Sequence, residues 1–163
     1  MPSHSQIDSA AFSGDVLEFI RLLAMHKVRC LIVGGEAVIF HGYPRLTGDI
    51  DFFYEMSGEN CQRLFRCLSE FWNGNIPGIE SAEEFMEAGV IVQFGRPPNR
   101  IDLLNAIDGV DFPDAWEDRV EVEIAGAGVP VPTAYIGKAS LLKNKESSGR
   151  PKDLDDVWNL SRA

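Results

Sequence analysis

Two carboxylates, Asp49 and Asp51, stand one residue apart in a short apolar stretch of the chain. Side chains alternate between the two faces of a β-strand, so both acids are predicted to project from one face while Ile50 and Phe52 point into the core. Two close carboxylates repel each other, and a proton or a cation must neutralise them. Because hard oxygen ligands suit Mg²⁺ or Mn²⁺, the pair predicts a site for a divalent metal ion.

A pair of glycines precedes these acids in the chain. The apolar residues 31–33 end at Gly34 and Gly35, and a short helix is expected over residues 36–41. A glycine corner between a strand and a helix lets backbone N–H groups approach a ligand closely, and the start of a helix favours an anion. Carboxylates for a metal and amides for a phosphate together indicate a nucleotide site.

The residues around this corner admit two interpretations. Arg45 and Thr47 are placed to offer a cation and a hydroxyl to a phosphate group, or they belong to a solvated turn. Glu36 follows the glycines directly, where its charge would repel a phosphate, so either its side chain points away or the phosphate is held less tightly. His41 is expected to be a packed residue at a helix end, with a substrate contact as the alternative.

The order of these features resembles the nucleotidyltransferase superfamily, whose fold is shared with polymerase β. The string GGEAVIFHGYPRLTGDIDF is similar to small bacterial nucleotidyltransferases related to abortive-infection and toxin–antitoxin proteins. The resemblance implies a third carboxylate on a neighbouring strand, which Asp102 in RIDLL fits. It also implies a Lys-Asp motif near the C-terminus, matched by Lys152 and Asp153 in GRPKDLDD. For a further lysine of the family, Lys145 is the best match and Lys143 a close rival.

The resemblance implies an enzyme that transfers NMP from an NTP to a hydroxyl of an RNA end, a protein or a small molecule, with release of pyrophosphate. Its catalytic and metal-binding residues would be Asp49, Asp51 and Asp102, with Mg²⁺ or Mn²⁺ as the cofactor. Its nucleotide-binding residues would be Gly34, Gly35, Arg45, Thr47, Lys145, Lys152 and Asp153.

An alternative function is a weakly active or inactive nucleotidyltransferase-like antitoxin or regulator that binds a partner protein of the toxin–antitoxin type. The three intact acids favour the enzyme. Glu36, the acidic composition and the small size favour the regulator.

Composition limits the classes of partner. A chain of 163 residues is expected to form one domain, residues 1–163, with a buried core. Its formal net charge of −10 would repel a polynucleotide over most of the surface, so long DNA is not expected as a partner. No apolar run reaches the length of a membrane span and the first residues lack a signal-peptide layout, so we expect a cytoplasmic protein without membrane attachment.

The wider pattern predicts a mixed β-sheet with helices packed on it, an α+β or α/β domain, in agreement with the resemblance. Strands are predicted over residues 30–33, 49–53, 90–94, 100–105, 120–124 and 129–131. Helices are predicted over residues 15–27, 36–41, 59–72, 111–119 and 135–147, with another starting at Ser81 and a last one at Pro151. We expect Lys145 to face outward, and the last helix to pack through Leu154, Val157, Trp158 and Leu160.

Overall fold

The computed structural model describes residues 5–126 and 128–163, in which seven strands and six α-helices are formed. The strands are β1 (Ser5–Asp8), β2 (Cys30–Val33), β3 (Asp49–Tyr54), β4 (Ile91–Phe94), β5 (Arg100–Leu104), β6 (Val120–Ala125) and β7 (Val131–Tyr135). The helices are α1 (Gly14–Met25), α2 (Gly34–Phe40), α3 (Gly58–Phe71), α4 (Phe112–Glu117), α5 (Lys138–Ser148) and α6 (Pro151–Leu160). Short 3₁₀ helices lie at Ser9–Ala11 and Ala82–Met86. The helices of the described ranges are too short or too polar to cross a membrane.

All seven strands belong to one sheet, in the order β1-β6-β7-β2-β3-β5-β4. The strand β3 pairs antiparallel with β2 on one side and parallel with β5 on the other. The strands β4 and β5, both predicted from the sequence, form an antiparallel hairpin at one edge of the sheet. Parallel and antiparallel pairs therefore occur in the same sheet, and the predicted α+β architecture is confirmed.

The two faces of β3 are covered by different helices. Ile50 and Phe52 are buried on one face, where Phe52 meets Phe19 of α1 edge to face at 5.4 Å between ring centroids. On the other face, Phe53 packs against Phe112 of α4 at 5.2 Å. Because side chains alternate along a strand, Asp49 and Asp51 share the face of Phe53, as the sequence pattern predicts.

The segment after β6 differs from the prediction. The expected strand over residues 129–131 is wrong, since Val129 lies in the turn with 85% of its surface exposed, and the strand runs over Val131–Tyr135. Its position is set by pairing with β6 and by the bridge from Ile32 of β2 to Tyr135, which are contacts distant in sequence. The following helix consequently starts at Lys138 rather than at residue 135.

The prediction for the packed face of the last helix is only partly correct. Leu160 is buried as expected, but Leu154 and Trp158 are 50% and 57% exposed, and Asp153 and Asp156 are buried instead. Lys145 of α5, which was expected to face outward, is also buried. These errors have one cause, because the acids and the lysine neutralise one another in the interior and hydrophobic periodicity cannot detect such a pairing.

Candidate active site

The three predicted acids lie together on two adjacent strands. Parallel pairing of β3 with β5 sets Asp51 directly beside Asp102, and Asp49 lies two residues before Asp51 on the same face. One carboxylate oxygen from each of the three acids lies within 4.8 Å of the others. The geometry that the sequence predicts for these acids is therefore present.

Arg100 is the counter-ion that holds this cluster together. It pairs with Asp49 in the register of the two strands, and it shares a face with Asp102 because the two are separated by one residue. Its Nη2 donates to Asp49 Oδ2 at 2.6 Å, and its Nε donates to Asp102 Oδ1 at 2.9 Å. One guanidinium faces three carboxylates, so negative charge remains in excess.

Asp51 is the acid whose ionisation this excess of negative charge opposes most clearly. Its Oδ1 is buried and accepts no hydrogen bond from any residue that the structure describes. Burial, followed by the charges of Asp49 and Asp102, raises the pKa of Asp51 to about 7, against the opposing charge of Arg100. A buried carboxylate oxygen without a donor, next to two further acids, fits a divalent cation such as Mg²⁺ or Mn²⁺.

The glycine pair makes room for the side chains of the site. Gly34 has φ of +65°, and a Cβ atom there would collide with the carboxylate of Asp51. A Cβ atom on Gly35 would lie 2.6 Å from Oγ1 of Thr47. That hydroxyl in turn lies 3.2 Å from the backbone oxygen of Asp49 and 3.3 Å from its Oδ1. Both glycines therefore allow α2 to begin against the acid-bearing strand.

A second group of charges faces the acids from α5 and α6, and we call Arg45, Lys145, Arg150, Asp153 and Asp156 the ion cluster. Lys145 Nζ lies 3.3 Å from Asp153 Oδ1 and 3.0 Å from Asp156 Oδ2. Arg45 binds Asp156 through Nε at 2.9 Å and Nη2 at 3.0 Å, and Arg150 Nε donates to Asp153 at 2.7 Å. Three cations thus surround two carboxylates, which leaves a net positive charge.

Members of both groups line one cleft of about 610 Å³, in which Asp156 takes no part. All of the predicted site residues contribute to its lining: Gly34, Gly35, Arg45, Thr47, Asp49, Asp51, Asp102, Lys145, Lys152 and Asp153. Of the two rival lysines, Lys145 lines the cleft, whereas Lys143 is an exposed residue that is absent from the lining. The cleft therefore presents negative charge on its strands and positive charge on its helices.

Residues 14–161 match the sequence model of a protein family that is described as a nucleotidyltransferase of unknown function (DUF6036). The chain belongs to this family. The match extends from α1 to the residue after α6, so it includes both acid-bearing strands and the ion cluster. It agrees with the superfamily expected from the glycine pair and the Asp-Ile-Asp motif. Curated proteins offer no match to the chain.

Glu36 and His41 lie outside the lining of the cleft. Burial, and then the charge of Asp49, raises the pKa of Glu36, so its carboxyl is close enough to the acids to add to their repulsion. His41 Nε2 lies 2.7 Å from the backbone oxygen of Ile136. This contact fits the packed helix-end histidine of the two alternatives for His41.

The sequence pattern assigns no role in metal or nucleotide binding to Arg100 or Arg150, which both line the cleft. The signal for Arg100 was available, because alternation places it on the face of Asp102. Arg150 had no comparable local signal. Its position depends on the burial of Asp153, which in turn depends on Lys145.

Proposed function

We propose that this protein transfers NMP from an NTP to a hydroxyl acceptor and releases pyrophosphate. The observation that carries the proposal is the meeting of Asp49, Asp51 and Asp102, in which a buried oxygen of Asp51 has no donor within the described residues. A structural ion pair would have satisfied that oxygen. Membership of a nucleotidyltransferase family supports the general class of reaction.

The three acids are the proposed ligands of Mg²⁺ or Mn²⁺. Bound divalent ions would neutralise the triphosphate and lower the pKa of the acceptor hydroxyl. Asp102 is the proposed acceptor of the proton that this hydroxyl loses. Both of its oxygens receive hydrogen bonds from Arg100, and Gln93 Nε2 lies 3.3 Å from Oδ2, so its orientation is fixed.

The nucleotide is proposed to lie between the acids and the helices. The backbone amides at Gly34 and Gly35 and the hydroxyl of Thr47 border the acids and would contact phosphate oxygens. Arg45 and Lys145 are engaged by buried carboxylates, so they would act through their charge and through the position of α6. The proposed acceptor is an RNA end, a protein or a small molecule, and the net charge of −10 disfavours long DNA.

A regulatory function is the second candidate, and one observation favours it. Arg100 already pairs with Asp49 and Asp102, so the acids are partly neutralised without a metal ion. A nucleotidyltransferase-like antitoxin that binds a partner protein would need nothing more from these acids. Such a protein would bind Mg²⁺ and nucleotide weakly or not at all, and this difference separates the two candidates.

Calorimetry with Mg²⁺ and each of the four NTPs, followed by an assay for pyrophosphate with candidate acceptors, tests the proposal. We expect binding of at least one NTP that requires Mg²⁺, and its loss in Asp51→Ala. Asp114→Ala removes an exposed acid on α4 and serves as the matched control. Full activity of Asp51→Ala would refute the mechanism. Incubation of a cell lysate with labelled NTPs would then identify the acceptor.

A further inference from the structure

The cations of the cleft differ in what they can offer to a ligand. Among the described residues, five cationic side chains line the cleft, and three of these are paired with acids while at most 30% of their own side chain is exposed. Arg100 bridges Asp49 and Asp102, Arg45 forms a bidentate pair with Asp156, and Lys145 is enclosed between two buried acids. The remaining two are Arg150 and Lys152.

Arg150 combines exposure with a fixed orientation. Its side chain is 76% exposed, yet Nε and Nη2 lie 2.7 and 3.3 Å from the two oxygens of Asp153. A guanidinium has five N–H donors, so Nη1 and an N–H of Nη2 are left for another acceptor. Asp153 is itself a rigid support, because it is only 1% exposed and also pairs with Lys145.

The backbone on both sides of Arg150 is constrained as well. Gly149 ends α5 in the left-handed conformation with φ of +65°, and Pro151 opens α6. The hydrogen bond to Asp153, followed by the charge of that acid, raises the pKa of Arg150, and the charges of Asp108 and Asp51 add to this effect. The guanidinium is therefore within electrostatic reach of the acid cluster across the cleft.

We propose that Arg150, held in place by Asp153, binds the β- and γ-phosphates of the NTP, an assignment that rests on the proposed nucleotidyltransferase function. The acids and their metal ions would hold the α-phosphate, where the bond to the leaving pyrophosphate breaks. The planar fork of arginine matches two phosphate oxygens at once, which an isolated ammonium does not. Arg150 would thus distinguish an NTP from an NMP, with Lys145 and Asp153 as positioning residues.

Calorimetry in the presence of Mg²⁺ tests this assignment, with α,β-methylene analogues of the four NTPs and with the four NMPs as probes. Arg150→Ala is expected to weaken binding of the NTP analogue by about 10- to 100-fold, the range for hydrogen bonds to charged groups, and to leave NMP binding within about twofold. Arg150→Lys keeps the charge without the fork and should lose part of the affinity. Lys143→Ala, an exposed lysine of α5 outside the cleft, should match the wild type.

Several outcomes would overturn the assignment. Equal losses for NTP and NMP would mean that Arg150 only shapes the cleft, and unchanged NTP binding in Arg150→Ala would exclude the contact. A selective loss confined to Lys152→Ala would transfer the role to that lysine. Thermal unfolding checks that each variant is folded. If Arg150→Ala does not fold, the loss of NTP affinity in Arg150→Lys, compared with its NMP affinity, decides the test.

Inorganic tripolyphosphate separates this assignment from the proposed function. Wild-type protein that binds tripolyphosphate in an Arg150-dependent manner but binds no nucleotide would support the phosphate contact and contradict the transferase. Nucleotide binding that does not depend on Arg150 would support the transferase and contradict the contact. Binding of neither probe would overturn both.

Discussion

The acid cluster on β3 and β5 and the ion cluster of α5 and α6 both contain nearly buried carboxylates, yet their electrostatics are opposite. Burial and neighbouring acids raise the pKa of Asp51. Burial also opposes ionisation of Asp153, but the hydrogen bond from Arg150 and the charge of Lys145 outweigh it and hold its pKa below the usual range. Burial alone therefore does not mark a functional acid. The deficit of cations around Asp51 distinguishes the site from a structural salt bridge.

Asp51→Asn should produce the largest effect on the acid side of this comparison. Loss of one metal ligand is expected to reduce the transfer rate by about a thousandfold or more, because bound metal supplies several kcal/mol of transition-state stabilisation. The same change removes repulsion, so the melting temperature of the metal-free protein at pH 8 should rise. Pyrophosphate release and differential scanning calorimetry measure the two effects, and lower stability in this variant would contradict the assigned charge deficit.

Asp156→Asn should produce the reverse result in the ion cluster. Its side chain is 1% exposed and binds both Arg45 and Lys145, so its loss leaves two cations without their main partner. We expect about 3–5 kcal/mol less stability in urea unfolding, the range for a broken buried ion pair. Asp155→Asn changes an exposed acid on the same helix and should have little effect. A stable Asp156→Asn protein would mean that the ion cluster does not hold α6.

Gly34→Ala tests the contact between the glycine corner and the acids. Gly74 has φ of +89°, and a Cβ atom added there would meet no other atom within 4 Å. Gly34 has φ of +65°, and a Cβ atom added there would meet the carboxylate of Asp51. Gly74→Ala should therefore cost only the strain of a left-handed residue, about 1–2 kcal/mol. Gly34→Ala should cost about 1–3 kcal/mol more from overpacking and should also weaken Mg²⁺ binding. Equal losses of stability in the two variants would argue against the contact.

The pH dependence of stability should be the smallest effect per measured step, at most about 1.4 kcal/mol per pH unit for one titrating carboxyl group. The unfolded chain releases the proton of Asp51 near the ordinary aspartate pKa of 3.8, whereas the folded protein retains it up to about pH 7. Metal-free protein should therefore become less stable as the pH rises from about 4 to 7, and Asp51→Asn should remove this slope. Asp153 has a lowered pKa, so its contribution is lost only in more acidic solution. Melting temperatures measured between pH 5 and 8 in the presence of a chelator give the dependence of stability on pH.

The acid side of the cleft was predictable because its determinants are local. Asp49 and Asp51 reveal their shared face by alternation, and the turn before Arg100 reveals the hairpin that carries Asp102. Resemblance to a family then indicated that this third acid belongs with the other two. The parallel pairing of β3 with β5 needed the structure, because it joins strands about 50 residues apart.

The helix side was not predictable in the same way. The apolar pattern predicts that Leu154 and Trp158 are buried. Asp153 and Asp156 are buried instead, because Lys145 and Arg45 neutralise their charges there. The strand β1 was missed for a related reason. It contains four residues and is held by its parallel pairing with β6, over a hundred positions later in the chain.

The register between β3 and β5 decides whether the three acids of the proposed catalytic centre meet at all. If β5 moved by a single position, Ile101 or Leu103 would stand opposite Asp51, and Asp102 would turn to the far side. Insertions and deletions compatible with the chemistry must consequently be absorbed by the loops that connect β3 to β5. Variation in the length of those loops, without variation in the strands, is the trace that such a constraint would leave across related sequences.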